Sequence, residues 1–124
     1  MAIQQWSDQI TVGELVDDPQ FTEDITALAE SLEVAPRDVV LHFSAVGFIN
    51  SSDIALLLRL RKLVTSAKRR LILCGVNPQV WGVFQVTGLD KILEFTNDIA
   101  TALATVQLAA PRTQSRAGKR SAGP

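Results

Sequence analysis

The sequence predicts an α/β fold in which a mixed, mainly parallel sheet of about four strands packs against about four helices. Short apolar runs alternate along the chain with segments whose apolar residues recur at helical spacing. Two of the runs, at 38–43 and 70–74, are almost uninterrupted, as in strands buried on both faces. Turn-forming residues separate the segments, and right-handed crossovers would place the helices against the sheet.

The first strand is predicted over Gln9–Val16, where β-branched residues alternate imperfectly with polar ones. The segment "DDPQ" interrupts this strand, and Asp18 or Pro19 can begin a helix. From Phe21 to Leu32 apolar residues fall at helical spacing, and acidic residues occupy the outer face. We expect room for only one strand before this helix.

The remaining elements continue the alternation. They are a buried strand at 38–43, a helix at 52–67, a buried strand at 70–74, a helix at 78–86, a strand at 91–95 and a final helix. Asn77 followed by Pro78 is a typical helix start, and Gly88 is a typical helix end. Asn97 is predicted to cap the final helix. Ligand chemistry in such folds tends to lie where a strand gives way to a helix, and the segment 46–53 occupies such a junction.

Length and composition indicate one domain of ordinary size. The chain has 124 residues, of which 47% are hydrophobic and 20% charged, so it can bury a core. Residues 1–108 are predicted to form this domain. Large apolar residues no longer recur beyond 109, and residues 109–124 are predicted to be a disordered basic tail.

Charge is distributed unevenly, although the net charge is −1. The segment 1–53 holds ten acidic residues and one basic residue, whereas 54–110 holds seven basic and three acidic residues. The tail adds four basic residues. Such runs are usually solvated faces, and the functional alternative is an electrostatic docking surface for a protein partner. A nucleic-acid partner is not expected, because the chain without its tail is acidic.

The sequence shows neither a membrane-spanning nor a secretory segment. No apolar run approaches the roughly 18 residues that span a bilayer. The stretch "MAIQQWSDQI" lacks the basic and apolar regions of a signal peptide, and the single cysteine cannot form an internal disulfide. We therefore expect a cytoplasmic protein without membrane insertion.

Enzyme signatures are absent from the sequence. It contains no nucleophile elbow, no dinucleotide-binding glycine pattern and no phosphate-binding loop. His42 lies inside a predicted strand without a cysteine or carboxylate at ligand spacing, so a packed or edge histidine is favoured over a metal ligand. Cys74 also lies in a predicted strand, and we interpret it as a core residue. We expect a non-enzymatic protein without a metal or cofactor.

The segment "NSSD" follows a buried strand and begins a helix. Asn50 is a good N-cap, and Asp53 stands at the position from which a capping box returns a hydrogen bond. Ser51 and Ser52 then lie in the first turn, where the cap does not need their hydroxyl groups. They are either plain helix-start residues or a place for an anion such as a phosphate, which free backbone N–H groups and the helix dipole would favour.

The stretch "VVLHFSAVGFINSSDIALLLRLRKL" resembles the central signature of STAS domains, the anti-sigma factor antagonist family. That signature is a buried strand, a loop of the form "hxFhDSSGh" in which h is hydrophobic, and a long leucine-rich helix. The following "RLILCGVNPQVWGVFQVTGLDKILEF" is similar to the family as well. The resemblance is good over 39–106 and loose over 10–32, and it implies a STAS-like fold.

The resemblance also implies a regulatory protein-binding module whose partner is a serine kinase that acts as an anti-sigma factor. In this family the partner phosphorylates the first serine after the aspartate, and the phosphate blocks binding. That role falls on Ser51, with Ser52 as the second choice. Asn50 stands where the family has Asp, and Asp53 stands where it has Gly, so the negative charge beside the acceptor is relocated.

Four further residues are predicted to contact the partner together with Ser52. Ile54, Arg59 and Lys62 belong to the helix after the loop, and the two cations could meet an acidic surface. Trp81 lies off the apolar stripe of its helix, where it could be a half-exposed interface anchor or pack over the neighbouring helix. The alternative function is a non-phosphorylated STAS subunit of a larger assembly, such as a signalling scaffold or a lipid-transport ATPase complex.

Overall fold

Five strands and four α-helices follow one another along residues 3–109, the part of the chain that the computed structural model describes. The strands are β1 (Ile3–Gln5), β2 (Ile10–Val16), β3 (Asp38–Ala45), β4 (Leu71–Cys74) and β5 (Glu94–Thr96). The helices are α1 (Gln20–Val34), α2 (Ser51–Ser66), α3 (Pro78–Thr87) and α4 (Ile99–Ala109), and a short 3-10 helix at Leu89–Lys91 precedes β5. The basic tail that the sequence predicts lies outside the described residues, which end at Ala109.

The sheet is mixed and mainly parallel, which confirms the predicted fold class. Its strand order is β1-β2-β3-β4-β5, with β1 antiparallel to β2 and every other neighbouring pair parallel. The expectation of a single strand before α1 is wrong, because β1 pairs with the outer edge of β2. Three residues, of which only Ile3 is partly buried, are too few to show the alternation that marks a strand in a sequence.

Helices cover both faces of the sheet, because successive side chains of a strand point to opposite faces. Val39, Leu41 and Phe43 of β3 face the larger core, to which α1, α2 and α3 contribute their apolar stripes. Val40 faces the smaller core, where it packs with residues of the other strands and of α4: Ile10, Ile72, Cys74, Ala102 and Val106. Burial on both faces explains why β3 and β4 are uninterrupted apolar runs in the sequence.

The last part of the chain differs from the prediction in two places. The strand predicted at 91–95 begins only at Glu94, because the preceding 3-10 turn places Leu89 and Leu93 in the larger core. The cap of α4 is Asp98 and not Asn97, since Asp98 Oδ1 accepts a hydrogen bond from the backbone N–H of Thr101 at 2.7 Å. Hydrogen bonds from Thr101 lower the pKa of Asp98.

His42 and Cys74 are register partners on β3 and β4. His42 is partly buried, and its Nδ1 lies 3.8 Å from Oε2 of Glu14. Cys74 is fully buried, and burial raises the pKa of its thiol to about 11, which fits a core residue. Gly75 leaves β4 with a φ of +69°, and a Cβ at this position would lie 2.8 Å from Cδ2 of His42. Any other residue at this position would therefore be strained.

Gly75→Ala is expected to destabilise the fold by about 2 kcal/mol, because the added methyl group meets the His42 ring and the backbone is left-handed. Urea unfolding followed by circular dichroism measures the change. Gly82→Ala is the matched control: no heavy atom lies within 4 Å of its Cβ, and α3 should gain up to about 1 kcal/mol. Equal stabilities of the two variants would contradict the assigned role of Gly75.

Candidate functional site

The loop at 46–50 joins the carboxyl end of β3 to α2 in the middle of the sheet. Val46 and Ile49 are buried in the larger core. Gly47 and Phe48 between them are exposed, and the Phe48 side chain is 68% exposed. Two apolar side chains thus anchor the loop, and an aromatic ring is held in solvent between these anchors.

Hydrogen bonds from both neighbouring loops fix the backbone of this loop. Asp17, directly after β2, accepts on Oδ1 from the N–H groups of Gly47 at 2.9 Å and Phe48 at 3.2 Å. On the other side, Asn77 Nδ2 donates to the carbonyl oxygen of Val46 at 2.6 Å. Asn77 also caps α3 through its Oδ1, so one side chain joins the start of α3 to the loop. The position of the loop is therefore set by the strands on either side of β3.

Asn50 and Asp53 form a capping box at the start of α2. Asn50 Oδ1 accepts from the N–H of Asp53 at 2.8 Å, and Asp53 Oδ2 accepts from the N–H of Asn50 at 3.1 Å. Asn50 Nδ2 also donates to Oδ2 of Asp18 at 3.4 Å, which links the cap to the β2–α1 loop. These side chains form the cap, and the hydroxyl groups of Ser51 and Ser52 between them are not part of it.

Ser51 and Ser52 are the first two residues of α2, and both are exposed. Ser51 shares the outward face of α2 with Ala55, Leu58 and Lys62, because positions three and four residues apart lie on one side of a helix. A group attached to Ser51 Oγ would project from this face. Ser52 lies about 100° further round the helix.

Asp53 is only 1% exposed and lies beneath this face. Burial, followed by a hydrogen bond with the Asp18 carboxyl, raises the pKa of Asp53 to about 6. The negative charges of Asp18 and Asp17 act in the same direction, and the hydrogen bond from the Asn50 backbone opposes them. Hydrogen bonds from Thr22 and from Asp53 lower the pKa of Asp18. In mildly acidic solution Asp53 is therefore the protonated member of the pair and Asp18 the ionised one.

The predicted partner-contacting residues of α2 lie near the serines but on different sides of the helix. Ile54 is half-buried against the larger core. Arg59 and Lys62 are exposed and line a groove between α1 and α2, whose opposite wall includes Ala29 and Glu33. The two cations are thus accessible from the same side as Ser51, whereas Ile54 mainly supports the helix.

Trp81 lies in a different cleft from the serines. Its ring packs edge-on against Phe95 of β5, with the ring centroids 4.9 Å apart. The cleft has a volume of about 230 Å³, and its walls include Gly75 and Thr96 at the ends of β4 and β5. Trp81 is half-buried there and packs against the edge strand β5.

Sequence reasoning missed Phe48 and Leu58 as exposed apolar residues, and it missed Asp17 as a support of the loop. Leu58 is 38% exposed. The available signal was helical position: Leu58 lies on the same side of α2 as Ser51, away from the buried residues Leu57 and Leu60. Asp17 stands directly after a strand, where parallel folds collect functional polar groups.

The acidic residues around the loop are used in hydrogen bonds to backbone groups and to each other. Within residues 3–109, no three His, Cys, Asp or Glu side chains are grouped so that they could hold a metal ion. In the same range, no helix combines the length and the apolar character needed to cross a membrane.

A family model described as STAS domain matches residues 8–102, a range that includes the loop, its supports and all of α2. The chain belongs to the STAS domain family. BtrV of Bordetella bronchiseptica, which is assigned as an anti-sigma factor antagonist, is 29% identical to it over 85 residues. This alignment covers 68% of the chain and 73% of BtrV.

Solved structures share the fold of this STAS domain. The anti-sigma factor antagonist SpoIIAA in its unphosphorylated form matches with a TM-score of 0.73 at 19% identity, over 85% of the chain and 94% of SpoIIAA. The phosphorylated form of SpoIIAA, a Bacillus cell fate determinant, matches with a TM-score of 0.65 at 22% identity, over 84% and 96% of the two chains. These similarities confirm the STAS-like fold that the sequence resemblance implies.

Asp17→Ala is expected to lower the free energy of unfolding of this STAS domain by about 1–2 kcal/mol, because two backbone N–H groups lose a charged acceptor. Amide hydrogen exchange, measured by NMR, should accelerate at Gly47 and Phe48 more than elsewhere. Glu30→Ala removes an exposed carboxylate of α1 and should change neither quantity. Unchanged exchange at Gly47 and Phe48 would show that Asp17 does not hold the loop.

The contribution of Asp53 to stability is expected to fall as the pH rises. Its folded-state pKa of about 6 exceeds the ordinary value of 3.8, so between these values the folded state holds a proton that the unfolded chain has released. The stability from neutral Asp53 is therefore complete below about pH 4 and is lost as the pH rises through about 6.

Asp53→Asn tests this dependence, because its amide can accept from Asn50 and donate to Asp18 without titrating. The variant should exceed the native chain in stability by on the order of 1–2 kcal/mol at pH 7, and the difference should shrink toward pH 4. Urea unfolding at several pH values measures it, with the surface variant Glu30→Gln as the carboxyl-to-amide control. The expectation would be contradicted if the free energy of unfolding depended on pH in the same way in the native chain and in Asp53→Asn.

Proposed function

We propose that this STAS domain is a regulatory protein of the cytoplasm that binds a serine kinase acting as an anti-sigma factor, and that this kinase phosphorylates Ser51. The domain acts by docking and performs no catalysis of its own. Its family supports this proposal, since BtrV is assigned as an anti-sigma factor antagonist and SpoIIAA is one. The phosphorylated form of SpoIIAA supports a phosphate on a protein of this fold.

The observation that carries the proposal is the placement of Ser51. It is exposed at the first position of α2, its hydroxyl group is not needed by the capping box, and the loop before it is tied to both neighbouring strands. A kinase requires an acceptor hydroxyl that it can reach in a fixed geometry. The N-terminus of α2 would also favour the charge of the attached phosphate.

The surface around Ser51 has the features of a docking site. We call it the acceptor face and define it by Phe48, Ser51, Ala55, Leu58 and Lys62. Phe48 and Leu58 are 68% and 38% exposed, and aromatic and aliphatic side chains in such positions anchor interfaces. A phosphate at Ser51 would place a charge of roughly −1.5 to −2 among these apolar contacts. Binding to the same partner would then weaken without any change in fold.

Asn50 in place of Asp and Asp53 in place of Gly are the two departures from the family pattern. They change the charge exposed at the acceptor face only a little. Asn50 keeps the cap and presents an amide where the family has a carboxylate. The Asp53 carboxyl is directed into the protein, where it returns a hydrogen bond to the Asn50 backbone. A kinase that approaches from solvent therefore meets an acceptor serine without an exposed carboxylate from either of these two residues.

A second candidate function is a non-phosphorylated STAS subunit of a larger assembly, such as a signalling scaffold or a lipid-transport ATPase complex. The observation that favours it is the acidic side chain of Asp53, two residues after Ser51 and beside Asp18, because these carboxyl groups oppose an added phosphate. In this case the acceptor face would still bind a partner, but no charge would switch it.

Phosphorylation distinguishes the two functions. The full chain is incubated with ATP and the serine kinase/anti-sigma factor of its own organism, and peptide mass spectrometry locates the phosphate. We expect one phosphate per chain on Ser51 of the native protein and of Ser52→Ala. Ser51→Ala should lose the modification, because the acceptor hydroxyl group is removed. An unmodified native chain, when the kinase modifies a known substrate in parallel, would favour the second function.

The charge switch is tested by binding of the same kinase to variants of position 51. Ser51→Asp is expected to weaken binding by at least about tenfold, or 1.4 kcal/mol, because a desolvated negative charge lies in the interface. Ser51→Ala should bind like the native chain, and Ala104→Asp, on α4 at the opposite face of the sheet, is the control for added charge. Isothermal titration calorimetry measures the affinities. Equal affinities of Ser51→Asp and Ser51→Ala would exclude a switch at this residue.

A further inference from the structure

We propose that Asp18 and Asp53 share one proton beneath Ser51, and that a phosphate on Ser51 makes the pair hold this proton more tightly. The inference rests on the proposed function, in which Ser51 is the acceptor. Asp53 belongs to the capping box of α2, and Asp18 contacts the other member of the box, Asn50. The acceptor loop would then respond to pH as well as to its kinase.

The first argument is the hydrogen bonding of the Asp53 carboxyl. Its Oδ2 accepts the N–H of Asn50 at 3.1 Å. Its Oδ1 is buried, and no donor among the described residues reaches it. A buried carboxylate oxygen without a donor is costly, whereas a protonated carboxyl oxygen is itself a donor. The geometry therefore favours a proton on Asp53, provided that an acceptor lies beside it.

Asp18 supplies this acceptor from the β2–α1 loop. Its Oδ1 accepts from the backbone N and the Oγ1 of Thr22 at 3.1 and 2.7 Å, and its Oδ2 accepts from Asn50 Nδ2 at 3.4 Å. These donors favour the ionised form of Asp18 and thus direct the shared proton to Asp53. The opposite pKa changes of the two carboxyl groups agree with this arrangement.

No cation balances the pair within the described residues. Asp17, in the same loop as Asp18, adds another negative charge, whereas Thr22 of α1 and Asn77 of the β4–α3 loop are uncharged. The ion pairs of residues 3–109 involve other side chains: Arg69 with Asp38, and Arg70 with Glu94. A further negative charge nearby would therefore act on Asp53 without local compensation.

Phosphorylation would place this charge within one turn of α2. Ser51 Oγ forms a bond to the γ-phosphorus of ATP, the bond from that phosphorus to the bridging oxygen breaks, ADP leaves, and the serine proton passes to solvent. Across the width of a helix, about 10 Å, and at an effective dielectric constant of about 20 with salt screening, the phosphate should raise the pKa of Asp53 by about one. Near neutral pH the pair then takes up part of a proton from solvent, so Asp53 stays protonated to a higher pH when Ser51 carries the phosphate.

The test uses the full chain with phosphoserine introduced at position 51 during translation, so that no kinase is involved. Carbon-13 NMR of the side-chain carboxyl groups follows Asp18 and Asp53 from pH 3 to pH 9. The titration midpoint of Asp53 should rise by about one relative to the unmodified chain. Phosphoserine at Ser66, about 22 Å away along α2, is the matched control and should leave the midpoint in place.

Two results would overturn the inference. One is an Asp53 midpoint near its ordinary value of 3.8 in the unmodified chain, and the other is the same midpoint with and without phosphoserine at position 51. Ser51→Glu is the second variant and should raise the midpoint by a smaller amount, because it adds a single charge. Failure of a kinase to modify Ser51 would refute the proposed function, but it would leave this titration unchanged, so the two failures can be told apart.

Discussion

The hydrogen bonds that hold the loop at 46–50 are the constraint on which the acceptor face depends. β3 lies between β2 and β4, so the segments after all three strands meet at one edge of the sheet. Asp17 after β2 and Asn77 after β4 both bind the loop backbone, and Val46 and Ile49 anchor it from below. Asn50, the N-cap of α2, is the last residue of this fixed loop. Strand order, more than the helix itself, thus determines where Ser51 is presented.

The elements with a strong sequence pattern were predictable, because each is set by burial of its own residues. β3, β4 and α2 carry continuous or periodic apolar residues that pack in the two cores. β1 was not predictable, since its three residues depend on pairing with β2. The cap of α4 was misplaced by one residue because Asn97 and Asp98 are both good caps, and only the helix start decides between them.

The local part of the candidate site was also predictable, whereas its long-range part was not. The capping box of Asn50 and Asp53 follows from their spacing, and the structure confirms it. The acceptor role of Ser51, which the resemblance to STAS domains implies, stays a proposal. The contact of Asp53 with Asp18 joins residues far apart in the sequence, as do the hydrogen bonds of Asp17. Propensity and spacing carry no information on such contacts, which depend on how the strands are ordered.

The most direct test of the central claim is to map the partner's footprint on the chain by NMR. The full isotope-labelled chain is titrated with the serine kinase/anti-sigma factor in the absence of ATP. If the acceptor face is the binding surface, the amide signals of 47–62 should shift or broaden first, and those of α4 on the opposite face of the sheet should change least. A footprint centred on α4 or on the Trp81 cleft, with the signals of Phe48 and Ser51 unchanged, would contradict the proposed mode of action.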